Sequence, residues 1–121
     1  MTFLKDTNSG NLLKEIRANS PLIWNISNFV SMDIAANMLL SIGASPAMAH
    51  AIEEAESFAN LSKAINGALT INIGTFDKHW QKCAVKVANE AKLHDIPWVL
   101  DPVGAGAVSY THLRAHETIP D

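Results

Sequence analysis

The chain has 121 residues, 48% of them hydrophobic and 17% charged, with a formal net charge of -3. That is one domain's worth of sequence with enough apolar content for a core, which excludes a disordered composition. Nine scattered Lys and Arg give nucleic acid no concentrated cationic surface, and no run approaches the roughly 18 apolar residues of a membrane span.

Residues 1–11 are polar and lack the apolar stretch of a secretion signal. Cys83 is the one cysteine, so an internal disulfide is impossible and a reducing, cytoplasmic setting is the expectation. Leu12, Leu13 and Ile16 predict a short helix that ends before Pro21, and residues 22–26 form a brief apolar run with strand character. Ser27 or Asn28 is placed to cap a helix over 29–42, whose apolar face is Phe29, Met32, Ala36, Leu39 and Leu40 and whose stop is Gly43. A second short strand is expected over 45–48. A helix over about 51–65 follows, with Phe58, Leu61 and Ile65 on its apolar side and Glu53, Glu54 and Glu56 at its start, where the helix dipole favours negative charge.

Residues 68–73 read as a strand closed by Gly74-Thr75. Asp77 can cap the next helix, where Trp80, Ala84, Val87 and Ala91 share one face and Lys78, Lys82 and Lys86 lie on a solvated one. The last strand is expected over 97–101, before Pro102-Val103-Gly104-Ala105-Gly106 ends regular structure. Short apolar strands joined by helices imply parallel pairing through right-handed crossovers, hence an open α/β sheet with helices on both faces.

Three turns immediately after strands carry residues that neither packing nor propensity requires: Asn25-Ile26-Ser27-Asn28, Asn72-Ile73-Gly74-Thr75 and Asp101-Pro102-Val103-Gly104-Ala105-Gly106. In a parallel sheet these turns converge on the carboxyl rim, where small molecules bind. Asp101 suits a magnesium-bound or phosphate-linked role, or equally a carboxylate that accepts backbone N–H bonds in its own turn. Gly104-Ala105-Gly106 suits close approach of an anion or a plain turn. Asn25, Asn28 and Asn72 are candidate orienting groups, and Asn28 serves as well as a simple helix cap. Met48 beside His50 suits packing, His50 has no visible ligand set, and Cys83 fits a buried, inert thiol. His112 and His116 have helical spacing, but no third ligand accompanies them and the order is not that of a zinc protease.

Across residues 20–107 the chain resembles the hydroxyethylthiazole kinase family. The resemblance rests on Ser20-Pro21-Leu22, Asn25-Ile26-Ser27-Asn28-Phe29-Val30, Ala35-Ala36-Asn37, Gly43-Ala44-Ser45-Pro46-Ala47-Met48-Ala49-His50, Glu53-Glu54, Asn72-Ile73-Gly74-Thr75 and Asp101-Pro102-Val103-Gly104-Ala105-Gly106-Ala107. It implies a ribokinase-like α/β fold, represented by its N-terminal β/α units. It also implies ATP- and Mg²⁺-dependent phosphorylation of the hydroxyl of 4-methyl-5-(2-hydroxyethyl)thiazole in thiamine biosynthesis, by a homotrimer with the thiazole near a subunit interface. On this likeness Met48, Asn28, Val30 and Gly74 are substrate-binding positions and Asp101 lies on the metal and phosphate side.

The family's ATP-gripping Arg and its glycine-rich turn with the catalytic Cys have no counterpart in these residues. The expectation is therefore a truncated chain without catalytic residues of its own, and inactive. Residues 1–107 are expected to be the family part, and 108–121, Val-Ser-Tyr-Thr-His-Leu-Arg-Ala-His-Glu-Thr-Ile-Pro-Asp, a foreign tail. Two other readings stand beside this one. One is a non-catalytic module that binds a small ligand. The other is a related kinase acting on hydroxymethylpyrimidine, against which Met48 in its motif argues.

Overall fold

A computed structural model describes residues 8–48, 51–75 and 77–104. Helix α1 (Ser9–Asn19) starts where Asn8 Oδ1 accepts the Asn11 N–H at 3.0 Å, and it stops where Ser20 turns left-handed, φ 44°. Strand β1 (Leu22–Ile26) follows, then α2 (Met32–Ser41), β2 (Ser45–Ala47) and a 3₁₀ turn (Ile52–Glu54) that runs into α3 (Ala55–Ile65). Strand β3 (Ala68–Asn72), helix α4 (Lys78–Leu93) and strand β4 (Trp98–Asp101) complete the described chain. The four strands form one wholly parallel sheet in the order β2-β1-β3-β4.

Strand alternation divides the sheet into two unequal faces. Trp24, Ile26, Leu69 and Ile71 point one way, onto Ala55, Phe58 and Ala59 of α3 and Trp80, Cys83, Ala84, Val87, Ala88 and Ala91 of α4. Trp24 meets Phe58 edge to face, with ring centroids 4.4 Å apart. Each fully buried Ile or Leu here contributes about 1.5–3 kcal/mol, so this layer supplies most of the hydrophobic stabilisation. Asn25, Thr70, Asn72, Val99 and Asp101 point the other way, toward α2, which has no fully buried residue and leaves Ile34 and Met38 largely exposed.

The order of elements and the parallel α/β class agree with the sequence expectation. Two helices differ in detail. α2 begins at Met32, not at residue 29, because Asn28 Oδ1 accepts the N–H groups of both Val30 and Ser31 at 2.9 Å and holds 29–31 as a turn. In α3 the buried stripe is Ala55, Phe58, Ala59 and Ser62, while Leu61 and Ile65 stand about half exposed. Phe58 turns this stripe onto Trp24 of β1, which leaves Leu61 and Ile65 on the helix flanks. The 45–48, 68–73 and 97–101 strands are each one residue shorter than expected. His50, Gly106, His112, His116 and the whole 108–121 segment lie outside the described residues.

Candidate functional site

The strand order changes direction at β1. The chain leaves β1 through α2 toward β2 on one side, then returns past β1 to place β3 on the other. The turn after β1 leads to a helix on one face and the turn after β3 leads to a helix on the opposite face. The carboxyl ends of β1 and β3 therefore open a crevice between diverging loops, the place where parallel α/β sheets bind ligands.

Polar side chains bridge this crevice. Asn28, only 7% exposed, donates from Nδ2 to Asn72 Oδ1 at 2.7 Å, and the same Oδ1 accepts the Gly74 N–H at 2.9 Å. Asn72 in turn donates from Nδ2 to Asp101 Oδ2 at 3.1 Å. The amide orientations follow from chemistry. A backbone N–H can only donate, so the atoms facing Val30, Ser31 and Gly74 must be oxygens, which turns both NH₂ groups onward toward the carboxylate.

Gly74 has to be small. A Cβ there would lie 2.7 Å from Asn28 Nδ2, 3.1 Å from Asn72 Oδ1 and 3.2 Å from Val103 Cγ1, in the middle of the bridge.

Below the bridge, on the α2 face, is a cleft of about 350 Å³ lined by Asn25, Ser31, Thr70, Met38, Val99 and Asp101 among others. Asn25 Nδ2 donates to Thr70 Oγ1, and Ser27 and Ser31 share a hydroxyl contact of 3.0 Å. The buried Oδ1 of Asn25 has no hydrogen-bond partner among the described residues.

Among the residues singled out by sequence, Asn28, Gly74 and Asp101 meet in one network across three strand ends. Val30 sits on the turn that Asn28 holds and is 79% exposed. Met48 is half-buried one residue beyond β2, on the same rim, because β2 runs parallel to β1. Neither side chain takes part in the bridge. Asp101 takes its hydrogen bond from the Asn72 side chain and not, among the described residues, from backbone N–H groups of its own turn. Thr70 and Ser31 were not singled out. The signal available for Thr70 was its alternation with Asn72, which puts both side chains on one face of β3.

Cys83 is fully buried, and burial, reinforced by the carboxylates of Glu53 and Glu54, pushes its thiol up to about 11. A neutral buried thiol is a packing group, not a nucleophile.

This arrangement defines a parallel α/β protein with its polar residues gathered at the sheet's switch point. The model of the hydroxyethylthiazole kinase family matches residues 13–120, and the chain belongs to that family. The match spans nearly all of the 108–121 segment.

The chain is 53% identical over 104 residues to the hydroxyethylthiazole kinase of Rhizobium rhizogenes, covering 86% of this chain and 37% of that one. To the hydroxyethylthiazole kinase of Pyrococcus furiosus it is 48% identical over 105 residues, again 37% of the relative's length. The solved structure of the hydroxyethylthiazole kinase protein from Pyrococcus horikoshii OT3 superimposes with a TM-score of 0.78 at 43% identity, over 90% of this chain and 43% of that chain. The chain thus spans about two fifths of the length of the curated relatives it matches.

Proposed function

We propose that this chain provides the alcohol-binding side of an ATP-dependent hydroxyethylthiazole kinase. The reaction is transfer of the γ-phosphoryl group of ATP to the primary hydroxyl of 4-methyl-5-(2-hydroxyethyl)thiazole, in thiamine biosynthesis. The observation that carries the reading is the bridge from Asn28 through Asn72 to Asp101 across the switch point of a chain in this family. Phosphoryl transfer is chiefly positioning and charge neutralisation, so a rim that fixes a ligand-side turn and a carboxylate in one frame suits it.

In this reading Met48, Val30 and the Gly74 backbone contact the thiazole. Asn28 contributes mainly by shaping the turn, since its Oδ1 is taken by Val30 and Ser31 and its Nδ2 by Asn72. Asp101 would hold Mg²⁺. The fit is chemical: a hard cation that keeps most of its waters needs one or two carboxylates, and Asp101 is exposed, with Oδ1 lacking a hydrogen bond among the described residues. Bound there, the ion would neutralise phosphate charge. No residue of this chain is assigned to the transfer step, so the 121 residues alone are not expected to turn over. Homotrimeric assembly in a reducing cytoplasm belongs to the same proposal and fits the lone Cys83.

Calorimetric titration with the thiazole alcohol tests the proposal. Saturable binding is expected, weakened by about tenfold or more in Met48→Ala through lost apolar contact. Absence of heat at millimolar ligand from a folded sample would defeat the assignment. Rapid ADP release by the chain alone would defeat the statement that it does not turn over.

A further inference from the structure

β1 and β4 are not neighbours; β3 lies between them, so no ladder hydrogen bonds join the turn after β1 to the end of β4. Among the described residues, a single side chain joins them. Asn72, the last residue of β3, reaches Asn28 with its oxygen and Asp101 with its nitrogen, and is in register with Asp101 across the β3–β4 ladder.

We infer that Asn72 is a positioning residue that couples the ligand-side turn to the Asp101 carboxylate. The inference rests on the function proposed above for its catalytic meaning, but the coupling itself is a property of the unliganded protein.

Only an amide serves at this position. The oxygen must accept from Gly74 and Asn28, and the nitrogen must donate to a carboxylate. Aspartate would keep both acceptor contacts and place a second negative charge 3.1 Å from Asp101 Oδ2, where the amide nitrogen now lies. Serine is too short to reach both neighbours, and an apolar residue would leave the Gly74 N–H and the Asn28 NH₂ without their partner.

The resulting chain has one direction. Backbone N–H groups of Val30 and Ser31 donate to Asn28, Asn28 donates to Asn72, and Asn72 donates to Asp101. Each link fixes the flip of the next, and bonds in such chains polarise one another. Asp101 is thereby held by one oxygen, with the other without a hydrogen bond among the described residues, and a shift of the β1 turn is transmitted to it through two side-chain bonds. Ligand binding at the turn and the orientation of the carboxylate are then not independent.

The test reads the coupling by nuclear magnetic resonance. Asp101→Ala is made in the native background and in Asn72→Ala, and the Asn28 side-chain NH₂ and Gly74 backbone N–H signals are followed. With Asn72 present, Asp101→Ala should shift both signals several-fold more than it does in the Asn72→Ala background. Equal shifts in the two backgrounds, or none in either, would overturn the coupling. Asn72→Ser repeats the comparison if the alanine variant does not fold.

Titration with the thiazole alcohol supplies the functional arm, with about fivefold weaker binding expected in Asn72→Ala for the loss of one hydrogen bond's worth of positioning. If the native chain fails to bind the alcohol, the proposed function falls while the resonance comparison still decides the coupling. If it binds and the resonances show no dependence on Asn72, the coupling falls alone.

Discussion

Cys83 illustrates how burial sets chemistry at a single residue. Its thiol is enclosed by α4 and its neighbours, and loss of water, followed by the negative charge of Glu53 and Glu54, raises its pKa from 9.0 to about 11. The folded chain therefore holds this proton more tightly than the unfolded chain does. Below pH 9 both states are protonated and the thiol leaves stability unchanged with pH. Between about 9 and 11 the unfolded state loses the proton first, so stability falls as pH rises, by roughly 1.4 kcal/mol for each unit of the window. Urea unfolding at pH 8 and pH 10 should show that loss in the native chain and a smaller one in Cys83→Ala. An identical slope in both would assign the effect to other groups. The inertness of this thiol was legible in the sequence, since a lone Cys on the apolar stripe of a helix reads as a packing residue. The role of the two glutamates was not, because the 3₁₀ turn that brings them near α4 is a tertiary contact.

At the scale of elements, α2 and α4 start in different ways. α4 has a local cap: Asp77 Oδ1 accepts the Trp80 N–H at 2.8 Å, three residues on, as the sequence spacing predicts. Asp77→Ala should cost about 1 kcal/mol, measured as a shift in the urea midpoint, and Asp77→Asn should recover most of it. A loss below a few tenths would mean that packing of Trp80 on Phe29, centroids 4.7 Å apart, already fixes the helix start. Helix α2 has no side-chain cap at Ser31; the turn before it is held by Asn28, which is itself held by Asn72 on another strand. That is why the helix starts three residues later than the sequence pattern predicts. A cap supported by a distant partner has no signature in local spacing.

Among the described residues, the sheet has one well-packed face and one thinly covered face. On the second, Ile34 is 71% exposed and Val99 64% exposed, and both line the cleft under the bridge together with Met38. Apolar surface of this kind beside an exposed strand favours self-association. The double substitution Met38→Lys with Val99→Lys is expected to lower the sedimentation-average mass at high concentration while leaving the melting temperature within a few degrees. The core under α3 and α4 is untouched by it. A large fall in melting temperature would show that the thin face carries more of the stability than its exposure suggests.

The sequence by itself determined the alternation of strands and helices, the α/β class and the family. Each of these is written in local periodicity or in short contiguous motifs. It also showed that polar residues cluster after strands, since strand ends are marked by Gly, Pro and Asn. Only the tertiary structure decided the order β2-β1-β3-β4, which face each helix covers, and that Asn28, Asn72 and Asp101 meet. Those outcomes depend on pairings between residues 29 and 44 positions apart. They are fixed when crossover handedness and burial of the large side chains select one packing, and no local pattern encodes that selection.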